Sequence, residues 1–471
     1  MFASWAVHRP SGRDTLYCAA MTGSPAGRGP VPSSPVDPIP TSRVVAWGLW
    51  DWGSSAFNAV ILTFVFSVYL TDAVGADLPG SIGASTWLGW GLGVAGVLVA
   101  VFAPVSGQRA DIGGHRRRSL GLWTVLTVLV MAGMFFVKDT PDWFWLGLAL
   151  LAVGSVFSEF AWVANSAMLR QVSTPTSIGR VSAFGWALGY FGGIVLLLIC
   201  YFGFIAPDVG WFGVTSTDGL NIRVVALMAA AWFLVFGLPV LFAVPEIPPR
   251  PGAPHVGFLA SYRVLWRDLQ ALWRTDRRTV WFLAASALFR DGLAGIFTFG
   301  GILAVSVYGI SSADVILFAV AANVISALGA LVAGRLDDRL GPKTVIQFSL
   351  VGTLVAGVIL MLVSGPTMFW IFGLVLCLFV GPAQSSARTF LARLTPAGHE
   401  GELFGLYATT GRAVSFLAPT LFGFFTFLFD ADRAGIAGIL IVLLLGLLAL
   451  RPIESPPRAS APPALAEHQG A

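Results

Sequence analysis

The chain has 471 residues, 56% of them hydrophobic and 11% charged, with a formal net charge of +4 and a mean hydropathy of +0.80. A soluble domain carries about 25% charged residues, so this composition excludes a water-covered globular surface. The charges sit in short connections rather than on one long basic face, which argues against a nucleic-acid partner.

Residues 1–40 are rich in Pro, Gly and Ser without apolar periodicity, and read as a disordered tail. They lack the apolar run of a secretory signal, and Met21 is an alternative start. Apolar runs of about 20 residues, each enough to cross a bilayer core of about 30 Å as a helix, then recur along the chain. Twelve spans are predicted, at 44–70, 86–106, 119–137, 143–168, 180–205, 222–244, 280–306, 312–333, 344–364, 367–391, 402–428 and 434–450. The expectation is an all-α integral membrane protein of twelve transmembrane helices in two pseudo-symmetric six-helix bundles, over 41–245 and 280–451, with a second disordered tail over 452–471.

The 246–279 linker begins with Pro248, Pro249, Pro251 and Pro254, then places Leu259, Tyr262, Leu265, Trp266, Leu269, Leu272 and Trp273 at helical spacing. That pattern predicts an amphipathic helix on the membrane surface; a solvated linker helix is the alternative. Basic residues gather in the even-numbered connections and the linker, including Arg116, Arg117, Arg118, Arg263, Arg267 and Arg339, with Arg388 and Arg393 counted beside them. The odd-numbered connections hold Lys138, Arg223 and Arg433. The positive-inside rule therefore puts both termini in the cytoplasm, and the short loops suit a bacterial inner membrane. Cys18, Cys200 and Cys377 have no metal-like spacing, and neither a metal site nor a cofactor is expected.

A charge at bilayer depth costs about 2.5–3.5 kcal/mol on insertion scales, so Asp51, Glu159, Arg290, Asp291 and Arg412 are candidate solute or ion ligands, with Arg388 a further intramembrane charge near a cytoplasmic end. The sequence suggests two clusters: Asp51 with Glu159 as an acidic, proton-titrating group, and Arg290, Asp291 and Arg412 as a mixed-charge centre. The competing reading is that Asp291 and Arg412 pair to hold two helices together. Asn58, Asn165, Asn323 and Gln384 are candidate polar ligands, or bonds between helices. Gly89, Gly93, Gly185, Gly189 and Gly193 repeat at spacings of four and read as close-packing faces, with hinges as the alternative.

One short basic turn occurs twice, half a chain apart. Gly107, Asp111, Gly114 and Arg116 share their spacing with Gly334, Asp338, Gly341 and Lys343, and Arg339 follows the second aspartate. Duplication inside an apolar chain points to two homologous bundles, an architecture of secondary transporters. Asp111 and Asp338 could cap a helix or pair with Arg across the bundles, so that the turns gate one of two access states; a plain topological turn is the alternative.

These residues resemble the signature loop of the major facilitator superfamily, with Ile112 standing where a basic residue is usual and Pro342 off pattern. Trp50-Asp51-Trp52-Gly53-Ser54-Ser55-Ala56, the run from Gly179 to Tyr190, Arg290-Asp291-Gly292, Gly381-Pro382-Ala383-Gln384 and Gly411-Arg412 resemble its vacuole-effluxer-like branch. The resemblance covers about 44–450. It implies a twelve-helix permease exporting amino acids, with Ser54 and Arg290 departing from the branch pattern. The function expected is alternating-access transport of a small polar solute, proton-coupled through Asp51, Glu159 or Asp291, by a monomer among membrane lipids. The other readings are a transport-fold lipid scramblase or solute sensor, and a membrane-embedded transferase. For the last there is no catalytic constellation: all five histidines fall in loops or tails, and neither H-E-x-x-H nor G-x-S-x-G occurs.

Overall fold

The computed structural model describes residues 39–249 and 257–455. The tail expectations lie outside these residues except at 39–40 and 452–455, as do Pro251 and Pro254. Twelve helices among the described residues are long and apolar enough to cross a membrane: α1 (Thr41–Val74), α2 (Ala84–Gly113), α3 (Arg116–Phe136), α4 (Pro141–Gln171), α5 (Ile178–Ile205), α6 (Thr217–Ala243), α7 (Arg277–Ser306), α8 (Asp314–Leu340), α9 (Pro342–Leu362), α10 (Pro366–Leu394), α11 (Glu400–Phe429) and α12 (Asp432–Leu450). Twelve crossings bring the chain back to its starting side, here the terminal face; the other side is the far face.

Helices suit this sequence because a spanning segment must satisfy its own backbone hydrogen bonds where water is absent. Large apolar side chains such as Val94, Val97, Leu129, Val332 and Phe348 are exposed, while Asp51, Asn165, Arg116 and Arg388 are buried. This apolar-out, polar-in arrangement is that of a protein solvated by lipid.

The predicted spans over 86–106 and 312–333 run on to Gly113 and Leu340. Gly107, Asp111, Gly334 and Asp338 are therefore helical, and the repeated element is a pair of helix ends rather than a long turn. Spacing of four puts each Gly–Asp pair on one helix face, and continued winding carries both residues into contact with the other half. The reversals shrink to Gly114 and Gly341, whose φ of 67° and 93° lie in the region that favours glycine.

The halves meet where α2 packs on α11 and α5 on α8. Gly107 lies against the backbone of Gly401, and Gly405 against that of Pro104. In the other pair Gly179 meets Asp337, and Gly334 meets the backbone of Gly179 and Arg180. Small residues let these backbones approach as closely as packing in lipid requires. Gly185 and Gly189 do pack against Asp51, and Gly193 lies against Ala59 and Ser55. Gly89 and Gly93 do not fit that expectation, because a Cβ on either would meet open space.

Two irregular stretches bear on the site. In α1, wide π-type turns run over Ala56–Phe64, a feature that often marks functional sites. In α11, the helix stops at Val414 and restarts at Leu417. Between the halves, a helix over Phe258–Thr275 fills part of the linker. Its Tyr262 hydroxyl donates to the Val101 carbonyl of α2 at 3.0 Å, and Phe258 packs on Phe102. Leu269 and Leu272 pack inward, whereas Leu259 and Trp266 are exposed.

A matched pair of substitutions tests this packing. Gly107→Ala should lower the thermal unfolding temperature by several degrees, since overpacking costs about 1–3 kcal/mol. Gly89→Ala should change stability by less than about 0.5 kcal/mol. Equal melting temperatures in detergent would contradict the Gly107–Gly401 contact.

Candidate functional site: charge pairs across the two halves

Arg388, on α10, is fully buried, with 1% of its side chain exposed. Its Nη1 donates to Asp51 Oδ2 of α1 at 3.1 Å, Nε to Ser182 Oγ of α5 at 3.1 Å and Nη2 to the Ser182 carbonyl at 2.6 Å. The guanidinium also lies over the Trp47 ring, 4.8 Å from its centroid. Every one of these partners belongs to the first half. Asn165 Nδ2 of α4 donates to the other Asp51 oxygen at 3.3 Å, and Ser182 Oγ donates to the Ser385 carbonyl at 2.9 Å. Gly185 makes room for the pair: a Cβ there would collide with Asp51 and Arg388.

A second level lies deeper. By helix rise, Arg388 is about 9 Å from the terminal end of α10, whereas Glu159, Arg290 and Arg412 are each about 18–20 Å from theirs. Arg412 Nη2 of α11 donates to Glu159 Oε2 of α4 at 2.8 Å, with both side chains partly exposed. Arg290 sits on the Tyr407 ring, 3.7 Å from its centroid, and its Nη1 donates to the Tyr407 carbonyl at 2.9 Å. Tyr407 stacks on Trp162 of α4 with centroids 6.1 Å apart. This arginine–tyrosine–tryptophan column is a cation–π contact continued between halves.

These contacts redraw both suggested clusters. Asp51 pairs with Arg388 and Glu159 with Arg412, because each carboxylate meets a cation from the opposite half. Asp291 pairs with neither Arg290 nor Arg412. Its Oδ2 accepts the Ala418 backbone N–H at 2.7 Å and so caps the restarted segment of α11. The break leaves N–H groups without intrahelical partners, and a carboxylate is well suited to answer them.

Two cavities flank the pairs. The larger, about 640 Å³, is lined by Asp51, Asn58, Tyr190, Asn323, Gln384 and Arg388 and extends past the exposed Phe64 and Phe297 toward the far face. The smaller, about 180 Å³, brings together Glu159, Trp162, Arg290, Arg388, Tyr407 and Arg412. Asn58 and Gln384 line both, whereas Asn323 Nδ2 is bonded to the Ala319 carbonyl of its own helix at 2.8 Å. Asn165 is buried on Asp51 rather than in a cavity wall. Arg388, Ser182, Trp162 and Tyr407 join the site beyond the candidates expected from sequence. Arg388 reads there as a charge near a cytoplasmic end and as one of the connection cations, but six residues of helix follow it.

Toward the terminal face the halves are clasped twice. Asp111 Oδ2 accepts the Glu402 N–H at the start of α11 at 3.0 Å, and its Oδ1 accepts Arg116 Nε at 2.6 Å. Arg116 in turn pairs with Glu400, which Arg170 also approaches at 3.4 Å. In the other copy Asp338 accepts the N–H groups of Gly179 and Arg180 at the start of α5, at 2.9 and 3.2 Å, and is paired with Arg180 and Arg393. Each repeated aspartate thus caps a helix of the other half. Lys343 does not join the clasp; its Nζ donates to the Arg451 carbonyl at 2.8 Å. Arg339 is exposed.

Breaking a buried pair by removing one partner costs about 3–5 kcal/mol, and removing both costs less. Arg388→Met and Asp51→Asn should each destabilise the protein by that order, and the double variant by less than their sum. Additive melting shifts in a double-mutant cycle would show that the pair is not energetically coupled.

Residues 85–456 match the family described as vacuole effluxer Atg22 like. The uncharacterized MFS-type transporter YxiO of Bacillus subtilis is 24% identical over 411 residues, covering 87% of this chain and 94% of the relative. Autophagy-related protein 22-1 of Aspergillus fumigatus is 29% identical over 307 residues, covering 58% of this chain. The chain spans about half the length of that fungal relative, 48%. Among solved structures, the proton:xylose symporter XylE aligns with a TM-score of 0.68 at 14% identity, covering 87% of this chain and 94% of its own. FucP in its outward conformation aligns at 0.67 and 13% identity, covering 89% and 99%. Fold, sequence profile and the twelve crossings agree: the chain belongs to the vacuole-effluxer Atg22-like family, and is a multi-pass membrane transporter of the major facilitator superfamily.

Proposed function

We propose that this chain moves a small zwitterionic or anionic solute by alternating access, with protons as the coupling ion and amino acids as the solute class that the family resemblance implies. The observation that carries this reading is the charge balance of the cavities. Arg290, Arg388 and Arg412 face Asp51 and Glu159 there, a surplus of guanidinium suited to a carboxylate. Trp186 lines both cavities, and its buried Nε1 has no hydrogen-bond partner among the described residues, which leaves a donor for a polar solute.

In this reading the Asp51 carboxylate and the solute's carboxylate compete for Arg388. A proton on Asp51 removes the charge that holds Arg388 and frees the guanidinium to bind the solute. Leaving either partner buried and unpaired costs several kcal/mol, and that cost links protonation to binding. Rocking the halves about this level then requires the Asp111 and Asp338 clasps to part. The basic residues of the terminal face, Arg116, Arg117 and Arg118 among them, favour a cytoplasmic terminal face, and the short loops favour a bacterial inner membrane. We take the working unit to be the monomer, since both levels of the site are built within one chain.

The test is exchange of a labelled amino-acid panel in proteoliposomes, with and without an inward-acid gradient. Asp51→Asn should abolish gradient-driven accumulation while leaving exchange, and Arg412→Gln should raise KM about tenfold or more. Asp291→Asn should keep most activity, because asparagine caps a helix nearly as well as aspartate. No exchange of any panel member by folded wild-type protein would end the amino-acid assignment.

A further inference from the structure

Away from the solute pathway, three metal-ligating side chains of different chemistry converge where the linker helix meets the base of α11. One ligand atom each from Asp268, His399 and Glu402 lies within 4.8 Å of the others. His399 Nδ1 and Glu402 Oε2 are already 3.0 Å apart. Glu402 is buried, with 5% of its side chain exposed, and a buried carboxylate needs a positive partner. The partner given by the described contacts is His399, which is charged only when protonated. A cavity of about 280 Å³ opens beside all three residues, walled by Leu272, Leu403 and Leu406, and leaves room for an ion and its water.

We propose that Asp268, His399 and Glu402 form a regulatory site for a divalent transition-metal ion, with Zn²⁺ the best-suited ion. Two carboxylates neutralise the ion's charge, while the imidazole selects borderline ions over Mg²⁺ and Ca²⁺, which prefer all-oxygen ligands. Three protein ligands and one water complete a tetrahedral Zn²⁺ sphere. Bonds of about 2.0–2.2 Å put neighbouring ligands about 3.4 Å apart, so Asp268 needs to close by roughly an ångström. Its side chain is 22% exposed and can change rotamer. Arg267, 3.7 Å from Asp268, is itself 72% exposed and is a weak competitor.

The site's position gives it a consequence. Glu402 supplies both a ligand and the backbone N–H that Asp111 accepts across the clasp. The linker helix carrying Asp268 is meanwhile bonded to α2 through Tyr262. A bound ion therefore ties the linker to the base of α11 while α11 is clasped to α2, and stabilises the state closed at the terminal face by binding it selectively.

The experiment uses the full chain purified in detergent, with Zn²⁺ followed by calorimetry and Co²⁺ by its visible absorption. Variants are first matched to wild type in metal-free melting temperature. Wild type should bind one equivalent with the Co²⁺ spectrum of mixed nitrogen and oxygen ligation, and Zn²⁺ should slow amide exchange over 258–275 and 399–410. His399→Ala and Asp268→Asn should each weaken binding at least about tenfold and remove that protection. The absence of binding in wild type, or unchanged affinity in either variant, overturns the proposal.

Discussion

The buried guanidinium of Arg388 is the constraint on which the rest of the site depends. Carrying an ion out of water costs several kcal/mol even after relaxation, and α10 alone offers no answer to it. Asp51, Ser182 and Trp47 do, and all of them come from the first half. The two bundles are thereby joined at their centre by a charge that neither can bury alone. Gly185 has no side chain because the pair occupies that space.

The same logic recurs at the terminal face in a form that can come apart. Asp111 accepts from the first turn of α11 and Asp338 from the first turn of α5, so two carboxylates related by duplication cap two helices related by duplication. Such caps draw on the positive end of a helix dipole, each worth a few tenths to about 2 kcal/mol. That is enough to favour one access state, and little enough to be reversed by a solute or proton. The guanidinium pairs around them, Arg116 with Glu400 and Arg393 with Asp338, add geometry to the clasp. Ile112 brings no charge to the first clasp, where Arg116 pairs with both Asp111 and Glu400.

Glycine use follows from this division. Gly107, Gly401, Gly405 and Gly334 lie where backbones of opposite halves touch, whereas Gly89 and Gly93 face open space. The interruption of α11 at Ser415–Phe416 exposes backbone groups that Asp291 answers. An aspartate that looks like a solute ligand from its depth is thus occupied by its own protein. Beside it, Arg290 escapes pairing with Asp291 by turning onto the Tyr407 ring.

The sequence by itself determined the twelve crossings, the duplication, the family and the chemical types available at bilayer depth. Apolar run length, charge scarcity and repeated spacing are local properties that bilayer thickness turns into structure. Only the tertiary structure decided which charge meets which. Asp51 and Arg388 stand 337 positions apart, and Glu159 and Arg412 stand 253 apart. Periodicity within one helix fixes the face a residue occupies, but not the helix set against it. Arg388 was the hardest to read, because near the end of a span a buried arginine and a loop arginine look alike in sequence. The Asp268, His399 and Glu402 cluster was equally illegible, since its members come from the linker helix and the start of α11, elements far apart in sequence.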